Sequence, residues 1–408
     1  MQDNEKKPAL RFKGFTDPWE QRKLTNLCEK FTDGDWIEAK DQSDSGVRLV
    51  QTGNVGVTEY LDKPNNKKWI SFETFEQLHC EEVYPGDILI SRLPEPAGRA
   101  CIMPNLGTKM ITAVDCTIVR PNAVTSTRFL LQYLSSQAYF DAVNTCLAGG
   151  TRQRISRGNL AQFNVPIPSS KIEQEKIGEV LEKLDTLITL HQRKYEKLVN
   201  IKKSMLDKMF PQNGASVPEI RFKGFTDPWE QRKVGTLIED YTEKTVTQNQ
   251  YPVLTSSQQQ GIVLQEDYFA DRQVTTDNNV GYYVLPKGYF TYRSRSDTDV
   301  FVFNRNNIVD KGIISYYYPV FAPKSCDSNF LLRRLNHGIK KQLSMAAEGT
   351  GQKVLAHAKF KNMVVDVPSQ SEQEKIGTIL EELDTLITLH QREHIKPILE
   401  VKRVKRNE

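Results

Sequence analysis

Apolar residues recur every seven positions in one stretch near the middle of the chain. The first series has one residue every seven positions and includes one histidine: Ile177, Leu184, His191, Leu198 and Met205. The second series lies three residues after the first: Val180, Leu187 and Ile201. Two such positions in each heptad form the a and d seam of a coiled coil. Pro168 and Pro211 flank the stretch, so the pattern predicts a helix of about forty residues, near 60 Å at ~1.5 Å per residue.

The same pattern returns near the end of the chain. The segment LDTLITLHQR stands at 184–193 and again at 383–392. Pro397 follows the second copy, and because proline lacks an N–H and its ring clashes with the preceding turn, we expect the second helix to end or kink there. A histidine in such a seam can fix the register of two helices. The residues predicted to pack the two helices together are Ile177, Leu184, His191, Leu198, Ile376, Leu383 and His390.

Another identical segment precedes each helix. RFKGFTDPWEQRK occupies 11–23 and 221–233. The chain therefore has the order segment, variable stretch, helix, repeated twice, and the variable stretches run from about 24 to 168 and from about 234 to 368. Matched segments around two unequal variable stretches predict a pseudo-twofold protein with two different globular domains. Such a protein suits a ligand that has two unequal parts.

The variable stretches predict mixed structure that contains strands. Four runs are rich in β-branched and aromatic residues between Gly, Pro and Asn: DILISRL at 87–93, TKMITAVDCTIVRP at 108–121, YYVLPKGYFTYRSR at 282–295 and GIISYYYPVF at 312–321. Such runs are typical of β-strands. Each variable stretch is long enough for one compact α+β domain.

Composition narrows the class of protein without deciding it. Of 408 residues, 38% are apolar and 26% are charged, which is adequate for two globular domains with charged helices. The net charge of +4 is compatible with nucleic acid but is also ordinary. The six cysteines never form a CxxC pair, so we expect reduced thiols, and no run of eighteen apolar residues occurs. Together these features favour a cytoplasmic protein.

The repeated segments carry a resemblance to a known family. The pattern P-x-[IL]-R-F-x-G-F occurs at Pro8–Phe15 and Pro218–Phe225, and a helix beginning EQ-x-K-I follows each variable stretch. Nearly the whole chain, in this order, resembles the DNA specificity subunit of type I restriction-modification systems. The resemblance implies an α+β fold in which two target-recognition domains of mixed α/β structure are joined by two long antiparallel coiled-coil spacer helices, with pseudo-twofold symmetry.

The resemblance also gives the expected boundaries. The first target-recognition domain would span 1–169 and the second 212–369. The central spacer helix would span 170–211, and the C-terminal spacer helix with a basic tail would span 370–408. The segment EHIKPILEVKRVK differs from the corresponding part of the first helix, which leaves the length and partner contacts of the second spacer open.

The function implied by the resemblance is DNA recognition without bond chemistry. Each domain would read one half of a bipartite, asymmetric site in double-stranded DNA, and the helices would set the spacing. Two methyltransferase subunits, binding S-adenosylmethionine, would methylate adenine at N6, and up to two restriction subunits, using ATP and Mg²⁺, would cleave unmodified DNA. No cofactor is expected in this chain. A tandem protein-interaction scaffold that never binds DNA is the alternative, because charge does not separate the two.

Basic residues beside turns in the strand-rich parts are the candidates for DNA contact. A guanidinium can bond guanine edges or phosphates with two parallel hydrogen bonds, and a glutamine amide suits adenine edges. Gln153 and Gln352 gain weight because each stands two residues after a Gly-Thr pair and beside a basic residue. The full set is Arg92, Arg99, Arg152, Gln153, Arg154, Tyr292, Arg293, Arg295, Gln352 and Lys353. The alternative for each arginine is a solvated surface charge.

Short motifs that suggest catalysis are weak in this chain. HQREH at 390–394 matches the H-x-x-E-H arrangement of some zinc peptidases, but His390 lies on the predicted seam and the first copy reads HQRKY. DPW at 17–19 lacks the second proline of amino-methyltransferase loops, and the E-x-K triplet at 38–40 is common by chance. No P-loop occurs. We therefore expect neither a metal site nor a catalytic residue.

Overall fold

The computed structural model describes residues 8–149, 153–212, 215–269, 278–298 and 300–404, with side chains described through residue 391. Two compact units divide the chain, Met1–Thr189 and Leu190–Glu408. The helices are α1 (Phe72–Gln77), α2 (Thr127–Tyr133), α3 (Gln137–Thr145), α4 (Arg157–Ala161), α5 (Lys171–Lys208), α6 (Gln265–Tyr268), α7 (Ser328–Asn336), α8 (Lys340–Ala346), α9 (His357–Lys361) and α10 (Gln370–Val404).

The strands are short and fall in both units. Those of the first unit are β1 (Glu20–Lys23), β2 (Cys28–Asp33), β3 (Gln42–Ser43), β4 (Val47–Val50), β5 (Lys68–Ile70), β6 (Ile88–Ser91), β7 (Ala100–Ile102), β8 (Met110–Thr112), β9 (Cys116–Pro121) and β10 (Asn164–Ile167). Those of the second unit are β11 (Glu230–Lys233), β12 (Ile238–Tyr241), β13 (Leu254–Ser257), β14 (Gly261–Leu264), β15 (Tyr283–Pro286), β16 (Phe290–Tyr292), β17 (Arg295–Ser296), β18 (Phe303–Arg305), β19 (Lys311–Ile314), β20 (Val320–Pro323), β21 (Lys353–Val354) and β22 (Val364–Val367).

Each unit contains the same four-stranded antiparallel sheet. Its strand order is β2-β9-β6-β7 in the first unit and β12-β20-β16-β18 in the second. All four residues of β6 are buried, as are all three of β16, which is why these apolar runs read as strands in the sequence. The first unit adds a second four-stranded sheet, β3-β5-β4-β8, whereas the further strands among the described residues of the second unit form two-stranded pairs. The predicted α+β class is confirmed.

The duplicated segment RFKGFTDPWEQRK binds the duplicated helix in the same way in each unit. Arg11 donates from Nε and Nη2 to the two carboxylate oxygens of Glu173 at 2.7 and 2.8 Å, and Arg221 donates to Glu372 at 2.8 and 2.8 Å. Both glutamates are 1% exposed or less. These hydrogen bonds raise the pKa of Arg11 and of Arg221 above the usual range.

The same segment also closes each domain as a strand. β1 pairs with β10, so that Glu20 lies opposite Ile167, and β11 pairs with β22, so that Glu230 lies opposite Val367. Both partner strands lie just before the long helices. The two ends of each domain are thereby joined beside its helix, and we call this shared arrangement of segment, strand pair and helix start the frame.

Two residues of the repeated helix segment EQEKIG explain why it is kept in both copies. Gln174 accepts a hydrogen bond from the Ser126 backbone N–H at 2.8 Å, and Gln373 accepts one from the Asp327 N–H at 3.0 Å. A Cβ added at Gly178 would lie 2.8 Å from the Phe129 nitrogen, and one added at Gly377 would lie 3.0 Å from the Phe330 nitrogen. Glycine therefore allows each long helix to approach the start of α2 or α7 closely.

Within the second unit, the end of α5 packs antiparallel against α10. His191 on α5 meets His390 on α10, and Lys202, further along α5, forms an ion pair with Asp384, which comes earlier on α10. Leu383 of α10 is buried in the core of the second unit, and Met205 of α5 packs against the same core. The predicted helix of about forty residues is confirmed, since α5 spans 38 residues.

Residues of the predicted seam pack in two different places: against the core of a domain near the start of each helix, and between the two helices further along. Ile177 packs against the core of the first unit, and Ile376 is 1% exposed in the core of the second. Leu198, Leu383 and His390 pack within the second unit, at the helix pair. Leu184 is 48% exposed, so the prediction that it packs in a closed seam is wrong. A heptad pattern records apolar positions but does not say which surface covers them.

Of the two outcomes predicted for Pro397, an end or a kink of the second helix, the end is wrong. α10 continues through this residue to Val404 and spans 35 residues, three fewer than α5. A proline removes one backbone hydrogen bond and crowds one carbonyl, but a long helix anchored over its earlier turns can continue past it. Over the part of the chain that the structure describes, the second spacer helix is three residues shorter than the first.

Candidate nucleic-acid interface

A short hairpin with the same backbone closure occurs in both units. Ala148 and Arg154 exchange backbone hydrogen bonds of 3.0 and 2.9 Å, and Glu348 and Val354 exchange bonds of 3.0 and 2.8 Å. We call these the tip hairpins, closed by residues 148 and 154 and by residues 348 and 354; residues 150–152 lie outside the described residues. The next residue is held in the same way each time, because Ile155 N–H donates to Arg92 O at 3.2 Å and Leu355 N–H donates to Ser294 O at 2.9 Å.

A glycine starts each tip hairpin for a conformational reason. Gly149 has φ +113° and Gly349 has φ +127°, values that L side chains rarely adopt. At Gly349 an added Cβ would also lie 2.1 Å from the Gln352 carbonyl oxygen. The two glycines are therefore structural equivalents.

This equivalence corrects the pairing of residues made from the Gly-Thr match. The sequence match sets Arg154 against Lys353 and Gln153 against Gln352, but the backbone bonds set Arg154 against Val354 and Gln153 against Lys353. The match is displaced by one residue because a two-letter identity carries less information than the closing bonds of the hairpin. Basic or amide side chains still occur in both tips.

The tip hairpin of the first unit presents exposed charge. The Arg154 side chain is 62% exposed and its Nη1 lies 3.7 Å from an Asp115 oxygen. Arg157, which the sequence did not single out, is 47% exposed and lies 3.8 Å from Asp33. Gln153 is exposed, and Arg152 lies outside the described residues. Two exposed guanidinium groups, three residues apart in sequence, thus lie at this tip and at the start of α4.

Arg92 and Arg99 bond groups within the first unit, which does not favour their predicted contact with DNA. Arg92 is 8% exposed, donates to the Val114 carbonyl at 2.6 Å and lies 3.4 Å from Asp33. Arg99 donates to four backbone carbonyls, those of Val55, Leu93, Pro96 and Thr52, at 2.6 to 3.0 Å. Their N–H groups hold loops together, because buried carbonyls need donors.

The second unit brings several predicted residues together. Arg295 lies over the ring of Tyr317 at 4.3 Å and is exposed. Asp297 accepts a hydrogen bond from Gln352 at 3.0 Å and lies 4.0 Å from Arg293. Lys353 pairs with Ser296 in the β17–β21 ladder. Four predicted residues, Arg293, Arg295, Gln352 and Lys353, therefore meet at one tip.

Tyr292 is not part of this surface, which does not favour its predicted contact with DNA. Its side chain is fully buried in the core of the second unit, and its hydroxyl lies 3.3 Å from His357 Nδ1. Burial raises the pKa of Tyr292 above the usual range. In a strand, successive side chains point to opposite sides, so a tyrosine directly before an exposed arginine faces the core.

A groove of about 480 Å³ adjoins Arg293 and Arg295 in the second unit. Its other polar walls include Ser256, Gln258 and Asn304, and Tyr318 lines it with its ring. Burial raises the pKa of Tyr318, so this hydroxyl stays protonated at neutral pH. No motif in the sequence singles out these residues, because TSSQQQ is the composition of an ordinary polar turn. Hydroxyl and amide groups beside arginines are the side chains that bond base edges and phosphates.

No cluster of three or more potential metal ligands occurs among the described residues. His390, from the HQREH motif, instead has its Nδ1 3.4 Å from Nδ1 of His191. The side chains of Glu393 and His394 lie outside the described residues. In the described part of the chain, no helix is long and apolar enough to cross a membrane.

The family model of the type I restriction modification DNA specificity domain matches residues 16–200 and 227–399. The chain therefore belongs to this family, and it is a non-catalytic DNA specificity component of a type I restriction-modification complex. The two matches follow the two repeats, each covering one variable stretch and most of one long helix. Among curated proteins, none matches the chain.

Solved structures of S subunits resemble the chain over almost its whole length. The type I restriction-modification S subunit from M. genitalium aligns over 98% of this chain and 97% of that one, with 14% identity and a TM-score of 0.57. The HsdS subunit from Thermoanaerobacter tengcongensis aligns over 96% and 95%, with 14% identity and a TM-score of 0.39. A chain from a study of type I system assembly and conformational transition aligns over 97% and 97%, with 15% identity and a TM-score of 0.43. At these identities the M. genitalium likeness supports the fold alone.

Proposed function

We propose that this chain reads a two-part DNA site, one half with each domain, through the two tip hairpins and the side chains beside them. The observation that carries the proposal is the equivalence of the frames. The bidentate pairs Arg11–Glu173 and Arg221–Glu372 hold the two domains on their helices in the same way, while the domains themselves differ in sheets and tips. Two different domains that are attached to their helices in the same way suit a DNA site with two unequal halves.

The side chains at the tips support contact with double-stranded DNA. In the first domain these are Gln153, Arg154 and Arg157, and in the second they are Arg293, Arg295, Gln352 and Lys353. The adjoining Asp115, Asp33 and Asp297 hold some of these arginines before DNA arrives, which lowers the entropy lost when they bind. A carboxylate in the same place disfavours phosphate, so base edges are the better partners of these arginines.

The long helices are the proposed binding surface for the methyltransferase subunits. Leu187, Ile188 and Leu190 of α5 are 52, 48 and 56% exposed. Exposed apolar side chains grouped on one turn of a helix are typical of a protein contact. We assign this surface to a methyltransferase subunit, and the repeated frame supports two such subunits in equivalent positions. Restriction subunits would join the same complex in the cytoplasm, where the partners' S-adenosylmethionine, ATP and Mg²⁺ are found.

Base-resolved mapping of adenine methylation tests the proposal. DNA from cells that carry the gene, together with its methyltransferase partner, is compared with DNA from cells in which only this gene is deleted. The expected result is a single split motif that is methylated in the first and lost in the second. Methylation that persists after the deletion, or that follows an unsplit motif, would contradict the proposal.

A further inference from the structure

Asp384 lies between three elements of the second unit. It belongs to α10, and its carboxylate forms an ion pair with Lys202 on α5 and accepts a hydrogen bond from Arg333 on α7. The side chains of Lys202, Asp384 and Arg333 are 29, 28 and 14% exposed. One carboxylate thus joins both long helices to the body of the second domain.

A second carboxylate extends this connection to the sheet. Glu381, less than one turn before Asp384, accepts a hydrogen bond from Arg333 at 2.8 Å and lies 3.7 Å from Arg305. Arg305 ends β18, a strand of the four-stranded sheet, and is 12% exposed. It also donates to Asn329 at 2.7 Å on α7. Helix pair, α7 and sheet are therefore connected through charged groups whose side chains are 12 to 40% exposed, with Glu381 the most exposed.

The first unit contains the same aspartate in an identical segment but with a different partner. Asp185 of LDTLITLHQR accepts one hydrogen bond, at 2.8 Å, from the neutral amide of Gln132 on α2. By the shared numbering of the repeats, the position that corresponds to Lys202 is Val401, which carries no charge. Nearby, Arg128 and Glu182 form a pair whose side chains are 57 and 50% exposed. Among the side chains that the structure describes, this aspartate is thus joined to cationic partners in the second copy and to a neutral amide in the first.

This difference has a mechanical consequence. Hydrogen bonds between ionised groups are stronger than neutral ones, and shielding from water strengthens them further. Since Asp384 bonds α5 and α7 together, a shift of the second domain along or around α5 must break one of these bonds. We propose that Asp384 is a positioning residue that fixes the second domain to the helix pair and thereby determines which half-site spacing the protein accepts. This inference rests on the proposed reading of a split site.

The test uses the purified complex with its methyltransferase subunits. Its substrates are DNAs in which the two half-sites are set at the native spacing, one base pair closer, or one base pair further apart, and adenine methylation is measured on each. For Asp384→Asn we expect the preference for the native spacing to fall about tenfold, the order expected for loss of a charge-assisted bond. Both half-site sequences should be unchanged. The matched control, Asp185→Asn in the identical segment, should keep the wild-type preference.

A further variant separates positioning from folding. Lys202→Met removes only the bond to α5 and leaves Arg333 paired with Asp384 and Glu381, so it should fold and still accept altered spacings. Wild-type spacing preference in both Asp384→Asn and Lys202→Met overturns the inference, and if Asp384→Asn does not fold, Lys202→Met decides alone. Equal loss of preference in Asp185→Asn also overturns it. If the wild-type complex itself methylates no split site, the proposed function fails instead.

Discussion

His191 and His390, which hold the same position in the two copies of LDTLITLHQR, lie against each other with Nδ1 atoms 3.4 Å apart and ring centroids 5.6 Å apart. When a residue of one helix meets its own repeat equivalent on an antiparallel partner, a local twofold axis passes between them. The pair therefore marks the point about which α5 and α10 are related. A polar contact in this position can fix the register of a helix pair.

Replacing both histidines with leucine tests the register role. His191→Leu with His390→Leu should raise the unfolding free energy by ~1 kcal/mol, because two apolar groups replace a modest hydrogen bond in a partly buried seam. The same double variant should methylate DNA with altered half-site spacing more readily than the wild type does. Thermal melting followed by circular dichroism and methylation of DNAs with varied spacing measure the two effects. An unchanged spacing preference would show that the histidines do not set register.

The buried carboxylate of the second frame should be important for stability. Glu372→Gln leaves Arg221 without its anionic partner in a nearly water-free site, so we expect a loss of about 3 kcal/mol in unfolding free energy. Urea unfolding of the full chain measures it. Glu374→Gln, at an exposed position of the same repeated segment, is the control and should change stability by no more than ~0.5 kcal/mol. Similar losses of unfolding free energy in the two variants would contradict a special role of the Arg221–Glu372 pair in stability.

The two tips should act on different halves of the DNA site. Arg154→Ala should reduce discrimination in the first half-site only and Arg295→Ala in the second only, each by about tenfold, within the range for loss of a base-edge contact. Each variant is the control for the other. Methylation of DNA libraries randomised in one half-site at a time gives both values. If either variant weakened both halves equally, its arginine would be a non-specific phosphate contact.

The glycine that starts the second tip should be needed for its shape. Gly349→Ala forces a side chain into the left-handed region and against the Gln352 carbonyl, with strain of about 1–3 kcal/mol. We expect at least ~tenfold weaker DNA binding with the fold retained. Gly351→Ala, two residues on, adds a Cβ that meets open space and should bind like the wild type. Gel shifts with the assembled complex compare them, and equal binding by the two variants would argue against a role for the tip.

Much of the fold was predictable from the sequence, because repetition and heptad spacing reflect contacts that recur along the chain. The length of α5 follows from the period of its apolar residues, and the positions of β6 and β16 follow from runs rich in β-branched and aromatic residues. The roles of single side chains were less predictable. Arg99 and Arg295 both stand beside turns. Arg99 donates hydrogen bonds to four backbone carbonyls, whereas Arg295 is exposed and lies over the ring of Tyr317. Only the folded backbone determines whether a guanidinium meets carbonyls or solvent.

Burial of the repeated residues shows the same limit. Leu184 and Leu383 occupy the same position in identical segments, but the first is 48% exposed and the second 9%. The difference comes from what lies opposite, since Leu383 belongs to a core against which Leu198 and Met205 of α5 also pack. A sequence pattern gives the face of a helix, whereas the partner of that face depends on tertiary structure.

Exchange of one variable stretch tests the central claim most directly. Residues 24–168 are replaced by the corresponding stretch of another member of the family, and adenine methylation is mapped at base resolution in cells that carry the hybrid. We predict a motif in which one half is new, while the other half and its methylated adenine are those of the original protein. A motif changed in both halves, or in neither, would contradict the claim that two independently mounted domains each read one half of the site.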